Sequence, residues 1–202
     1  MSDNQLSAAI EEAYASAPAD QVILHTLEIY HPTFEDGPIY LVQNHTDVET
    51  WRAQGDGAAQ SFIDGLDDDV LDQVGFVGKI ESGAARNADQ YVAFIALAFE
   101  LDLPEKDTSP SPELSVRLDN ASLLVTDALK DAATSQVVTK IIYRPYLASD
   151  MLGPQMDPPL TMDLVHAAAS GSSVVARATV LNISNLSFPN WRYDVDRSPS
   201  LA

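Results

Sequence analysis

The sequence contains no cysteine. Disulfide staples, thiolate zinc sites and cysteine nucleophiles are thereby excluded together. Positive charge is also scarce: 11 Lys and Arg stand against 30 Asp and Glu, a formal net charge of −19 over 202 residues. A duplex-binding surface needs cations to displace phosphate counterions, so stable nucleic-acid binding is not expected. Nor does any apolar run reach the roughly 18 residues that cross a bilayer. The best stretch, 91–103, is interrupted by Glu100 and Asp102. The amino terminus, Met1-Ser2-Asp3-Asn4-Gln5, lacks the basic region and apolar stretch of a secretory signal. A soluble protein not exported by that route, and not in a membrane, is expected.

What is present suits a folded chain. Hydrophobic residues make up 46% and charged residues 20%, and at this length roughly two thirds or more of the unfolded surface can be buried. One large domain or two small ones would fit. The negative charge is uneven: residues 1–113 hold 22 acids against 4 Lys and Arg, whereas residues 114–202 hold 8 against 7. Such a surface is well solvated, or serves to repel another anion.

Taken in order, Leu6 to Tyr14 predicts a short helix capped by Ser2 or Asn4, and Ala17-Pro18-Ala19-Asp20 ends it. Val22 to Tyr30 and Ile39 to Gln43 predict a hairpin around Phe34-Glu35-Asp36-Gly37-Pro38, with a short third strand at Thr46 to Trp51. Ser61 to Gly75 is the most acidic segment: Phe62, Ile63, Leu66, Val70, Leu71 and Val74 recur every three or four residues, with Asp64, Asp67, Asp68, Asp69 and Asp72 between them. An amphipathic helix or an acidic loop both fit. It lacks the Gly and Glu positions of a calcium-binding EF-hand, so no metal is expected there. Tyr91 to Leu103 alternates as one long strand, ended by Pro104, and the Ser-Pro-Ser-Pro run within 104–113 is the candidate subdomain boundary. A helix from Asp119 or Asn120 to about Ala133 follows. Gln136 to Leu147 is a strand whose Pro145 suits a sheet edge, and Leu160 to Ala167 with Ser173 to Ser184 make a second hairpin. The pattern predicts an α+β protein, mainly β: an antiparallel sandwich or barrel with one or two packed helices.

Catalytic motifs are missing. His25, His31, His45 and His166 show no HExxH spacing, and Gly75-Phe76-Val77-Gly78-Lys79 lacks the spacing of a phosphate-binding loop. No nucleophile elbow or dinucleotide fingerprint occurs, and the carboxylates are too many for any pair to stand out as a glycosidase couple. No catalytic residue, cofactor or metal ligand is assigned, and the chain is not expected to be an enzyme. Two segments instead have the aromatic and arginine composition of protein interfaces: Tyr143-Arg144-Pro145-Tyr146 and Phe188-Pro189-Asn190-Trp191-Arg192-Tyr193. Tyr143, Arg144, Tyr146, Phe188, Trp191, Arg192 and Tyr193 are the interface candidates. For the second segment, a tail strapped over the domain's own core fits equally well.

These blocks, with Arg117-Leu118-Asp119-Asn120, Leu147-Ala148-Ser149-Asp150, Pro158-Pro159-Leu160-Thr161-Met162, His31-Pro32 and Phe99-Glu100-Leu101, resemble the phage and prophage tail family known as domain of unknown function 1833. The likeness spans nearly the whole chain, although the Ser198-Pro199-Ser200-Leu201 finish departs from the Pro-Gly-Leu-like end expected. It implies a structural protein of the tail tip in siphovirus-like phages, near the distal tail ring, with a tail-tube-like β-sandwich or barrel. It further implies a self-assembled ring, a hexamer, joining the tail-tube protein to the hub protein, made in the host cytoplasm and carried in the virion. On that reading Asp64, Asp67, Asp68, Asp69 and Asp72 face the channel and repel DNA. Two alternatives remain at this level: an assembly or completion factor not kept in the virion, and a carbohydrate-binding adhesion module.

Overall fold

The computed structural model describes residues 5–6, 22–43, 46, 48–103, 113–118, 123–135, 137–170 and 173–179. The chain is mainly β with packed helices, as the alternation patterns predict. At its centre, β2 (Ile23–Tyr30) pairs antiparallel with β3 (Ile39–Val42). The turn between them uses Gly37 at φ +82, a left-handed conformation that glycine adopts without steric cost. The other edge of β2 pairs along its whole length with β8 (Lys140–Leu147), from Ile23 opposite Leu147 to Tyr30 opposite Lys140.

The remaining strands extend this pair into one nine-stranded sheet. They are β4 (Val74–Lys79), β5 (Tyr91–Ala96), β6 (Phe99–Asp102), β7 (Glu113–Leu118), β10 (Leu160–Ser170) and β11 (Ser173–Thr179), in the order β4-β5-β3-β2-β8-β10-β11-β7-β6. A separate short pair joins β1 (Gln5–Leu6) to β9 (Met156–Asp157), so the expected helix does not begin at Leu6; residues 7–21 lie outside the described structure. Residues 104–112, the candidate boundary, also lie outside it; β6 and β7, which flank them, pair with each other.

The long strand expected over 91–103 is two strands. β5 pairs with β3 and β4, second in the sheet order, whereas β6 pairs with β7 at the far end. Only Leu97 and Ala98 separate them. The sheet must therefore curl until its two ends come together, and Gln43 Nε2 donates to the Phe99 carbonyl at 2.7 Å across the meeting point. Of the sandwich or barrel expected, the structure gives one nine-stranded sheet, mixed because β3 and β5 run parallel, that curls but whose hydrogen-bonded ladder does not close.

Inside the curl, Leu27, Ile29, Leu41, Ile141, Tyr143 and Met162 pack with Val116, Leu118 and Val174. They also meet Val125 of α4 (Leu123–Ala133), the helix expected after Asn120. The opposite face of β2, β3 and β8 is buried as well, by Phe76, Val77, Phe94, Trp51, Ala59 and Ile63. Burial on both faces explains why β2 and β8 read as nearly continuous apolar runs.

Two helices, α1 (Val48–Gln54) and α2 (Gly57–Asp64), bury Trp51, Ala59 and Ile63 on that second face, and the short α3 (Asp68–Leu71), which has no buried residue, follows them. The strand expected at Thr46 to Trp51 is the start of α1, whose single buried side chain, Trp51, donates to Thr46 Oγ1. Asp56 caps α2, its Oδ1 accepting from Ala58 N at 3.0 Å and Ala59 N at 2.8 Å. The expected acidic element at 61–75 is therefore the end of α2, a break after Gly65, the short α3 and the first residues of β4.

Pro145 does not lie at the outer edge of the sheet, since β8 sits between β2 and β10. It is tolerated because β10 pairs with β8 only as far as Tyr143. The Pro145 carbonyl accepts from Gln155 N at 2.8 Å. In a strand the N and O of one residue face the same side, so the missing N–H points away from β2, beyond the reach of β10.

Candidate functional site

A charged residue stands in the middle of each of the two central strands: Glu28 in β2 and Arg144 in β8. Both are almost fully buried, at 1% and 2% exposure. Thr26 is opposite Arg144 and Glu28 opposite Ile142, so the two charged side chains are diagonal neighbours on one face. Arg144 Nη1 donates to Glu28 Oε2 at 2.6 Å, and its Nε and Nη2 grip Glu81 at 2.7 and 2.9 Å. Arg86 completes the set by donating Nε and Nη2 to Glu28 Oε1 at 3.0 and 2.9 Å. Its guanidinium also lies over the Tyr30 ring, 3.7 Å from the centroid.

Glu81 and Arg86 come from the connection between β4 and β5, which the network fastens to the sheet. The connection bends through Asn87 and Asp89 at φ +50 and +58, and Asn87 Nδ2 donates to Tyr40 Oη at 2.8 Å. Burial alone would push the Arg144 guanidinium down, but its hydrogen bonds to Glu81 and the charge of Glu28 hold it above its ordinary value. Burial pushes the nearby Tyr146 hydroxyl up, and that group donates to the Lys79 carbonyl at 3.0 Å. All four carboxylate oxygens of Glu28 and Glu81 already accept from guanidinium N–H groups, and the four charges cancel. The arrangement is a clamp with no free carboxylate oxygen for general base chemistry.

Three of the expected interface residues are therefore core residues. Tyr143, Arg144 and Tyr146 are 2%, 2% and 0% exposed, because β8 is covered on both faces and its aromatics and arginine are spent internally. Tyr143 faces the interior of the curl, with Oη 2.8 Å from His25 Nδ1, while Tyr146 packs against Phe76 and Phe94. Phe188, Trp191, Arg192 and Tyr193 lie outside the described residues. Asp64, Asp67, Asp68, Asp69 and Asp72 are all exposed, and Asp64 reaches Arg52 at 3.3 Å. Glu28, Glu81 and Arg86 were not singled out from the sequence. The available signal was a lone acid in Ile23-Leu24-His25-Thr26-Leu27-Glu28-Ile29-Tyr30 and an arginine in the middle of the apolar Ile141-Ile142-Tyr143-Arg144-Pro145-Tyr146-Leu147.

His31 is fully buried and structural: its Nδ1 accepts from Thr33 N at 3.2 Å and its Nε2 donates to the Val137 carbonyl at 3.0 Å. That bond anchors the segment leading into β8. Among the described residues no group of three or more His, Asp or Glu is placed to hold a metal ion. None of the helices in the described residues is long and apolar enough to cross a membrane.

Beside this segment lies the most unusual surface. β8 pairs with β10 only over Leu160 to Asp163, and Leu164 N then donates to the Thr139 carbonyl at 2.9 Å. From there to Ser170, β10 pairs with β11 on one side and with no described strand on the other. After a bulge at Val165, residues His166 to Ser170 run in regular register opposite Arg177 to Ser173. Between this free edge and the end of α4 is a groove of about 320 Å³, lined by Leu129, Val137, Val138, Thr139, Val165 and Ala167 among others. No Asp, Glu, Lys or Arg lines it. Val137, Val138 and Val165 are 53%, 43% and 46% exposed. Sheet edges are commonly protected by charge or proline, and this one carries neither.

No curated protein and no solved structure matches the chain. The family described as Domain of unknown function (DUF1833) matches residues 9–193, nearly the whole length, and the chain belongs to that family.

Proposed function

We propose that the protein is a structural component of a siphovirus-like phage tail tip, a ring-forming protein that joins the tail tube to the hub. The observation that supports this reading best is the edge of β10 that no described strand pairs, beside a groove lined by no Asp, Glu, Lys or Arg, on a chain of net charge −19. A soluble polyanion repels its own copies wherever its acids face each other, so an exposed neutral apolar surface is where close association costs least. The clamp of Glu28, Arg144, Glu81 and Arg86 supports the same reading, because it commits the central charged groups to rigidity. On this proposal the partners are copies of the chain in a hexamer, the tail-tube protein and the hub protein. The working location is the virion tail tip, reached from the host cytoplasm.

The test is the solution mass of the purified chain by light scattering, together with mass spectrometry of purified particles. A ring at six times the 21.8 kDa of one chain, with the protein present in particles, is expected. A chain that stays monomeric at every concentration, or particles that lack it, would overturn the proposal.

A further inference from the structure

The free edge of β10 specifies the kind of occupant it fits. Its backbone N–H and C=O groups on that side, which no described strand pairs, suit an extended chain, and the groove is lined mostly by apolar side chains, with Ser135, Thr139 and His166 but no Asp, Glu, Lys or Arg. The sequence contains a segment of that chemistry. Residues 180–191, which follow the described structure, read Val-Leu-Asn-Ile-Ser-Asn-Leu-Ser-Phe-Pro-Asn-Trp and carry no charged side chain. In a chain with 30 acids, neutrality on both the groove and the segment is an electrostatic match, since neither repels the other. Fully extended, these twelve residues span about 40 Å, enough to leave one molecule and reach another.

The topology favours a second molecule as the donor. β11 ends at Thr179, opposite Asp163, on the side of β10 away from the free edge. At that level the other side of β10 is already taken by Lys140, and by Thr139 next to it. Residues 137–140 therefore lie across the direct route from Thr179 to the molecule's own groove, while the groove opens outward at Val137, Val138 and Val165.

We propose that residues 180–191 of a second copy add as a strand to the His166–Ser170 edge of β10 and place their apolar side chains in the adjacent groove. This rests on the ring reading and names its contact. The absence of cysteine makes the test direct. Two single variants, Ala168→Cys and Ile183→Cys, are purified, mixed and oxidised with copper phenanthroline, and the double variant is oxidised alone. A disulfide-linked dimer in the mixture, absent from either single variant alone, is the expected result, with a ladder of linked copies from the double variant. An internal disulfide in the double variant, with no dimer in the mixture, would overturn the proposal by making the segment a strap on its own domain. No link in either sample, while the wild-type protein retains a multimeric mass, would sink this contact and leave the ring reading standing; a monomeric wild type sinks both. As a second measurement, Ala167→Asp places a charge on an exposed edge position. It should keep the wild-type far-ultraviolet circular dichroism spectrum, showing that it folds, yet reduce the solution mass towards 21.8 kDa; a full-size assembly from this variant counts against the proposal.

Discussion

Glu28 and Arg144 lie on the two central strands, two residue pairs apart in register and so on one face, and meet at 2.6 Å with almost no exposure to solvent. Removing one member of such a buried set leaves its partners charged and unpaired, which costs far more than the intact pair contributes. Arg144→Met is therefore expected to destabilise by about 3–5 kcal/mol. Arg144→Lys should recover part of this, because an ammonium keeps the charge but cannot reproduce the two-pronged grip on Glu81. Urea unfolding followed by circular dichroism would measure both, and equal stability of Arg144→Met and wild type would show the clamp to be dispensable.

Gly78 offers a second test, on the packing that surrounds the clamp. A Cβ at this position would lie 2.7 Å from Phe76 Cε1 and 3.1 Å from Tyr146 Cε1. Both rings are fully buried and packed against Phe94, so neither can swing aside without displacing others. Gly78→Ala is expected to cost about 1–3 kcal/mol by overpacking. The equivalent change at Gly57, where a Cβ would meet nothing within 4 Å, provides the control. Similar losses at both positions would remove the steric explanation.

The strands were legible in the sequence because β-branched and aromatic residues gather in short runs bounded by turn residues, whether one face is buried or both. β2, β3, β8, β10 and β11 fall where Val, Ile and Tyr cluster between turn signals. The curl was not legible. Residues 91–103 alternate without interruption through Leu97 and Ala98, since both halves are strands and only their partners differ. The helix at Val48 was hidden in a stretch too short to separate period 2 from period 3.6, where Val48 and Trp51 share a face in the helix. Tyr143-Arg144-Pro145-Tyr146 has the composition of an interface because the chemistry that packs a protein's core around a buried guanidinium is the chemistry that packs two proteins together. Composition alone does not say which side is solvent.

His25 gives the fold a pH dependence. Burial pushes its imidazole below the ordinary 6.5, and its Nδ1 shares a hydrogen bond with Tyr143 Oη inside the curl. Below pH 6.5 the unfolded chain therefore binds a proton here more readily than the folded one. This contribution to stability is fully present above 6.5 and is lost as pH falls through the folded value, at up to about 1.4 kcal/mol per pH unit. The urea midpoint should fall between pH 7.5 and 5.5, and fall less in His25→Gln. The other three histidines are common to both proteins, so an identical fall would assign the effect to them.

The charge distribution also predicts how self-association responds to salt. Copies carrying −19 each repel over distances set by the Debye length, about 30 Å at 0.01 M salt and 8 Å at 0.15 M. If the contact is made through the neutral β10 edge, salt screens the repulsion and removes no attractive ion pair. Assembly should then strengthen between 0.01 and 0.15 M, as read by the concentration at which half the chains are assembled. The exposed acids of the α2–α3 region are part of that repulsion, so the combined variant Asp67→Asn, Asp68→Asn, Asp69→Asn and Asp72→Asn should assemble at lower salt than wild type. Association that weakens as salt rises would mean that the copies are held by opposite charges, and the neutral edge would lose its role.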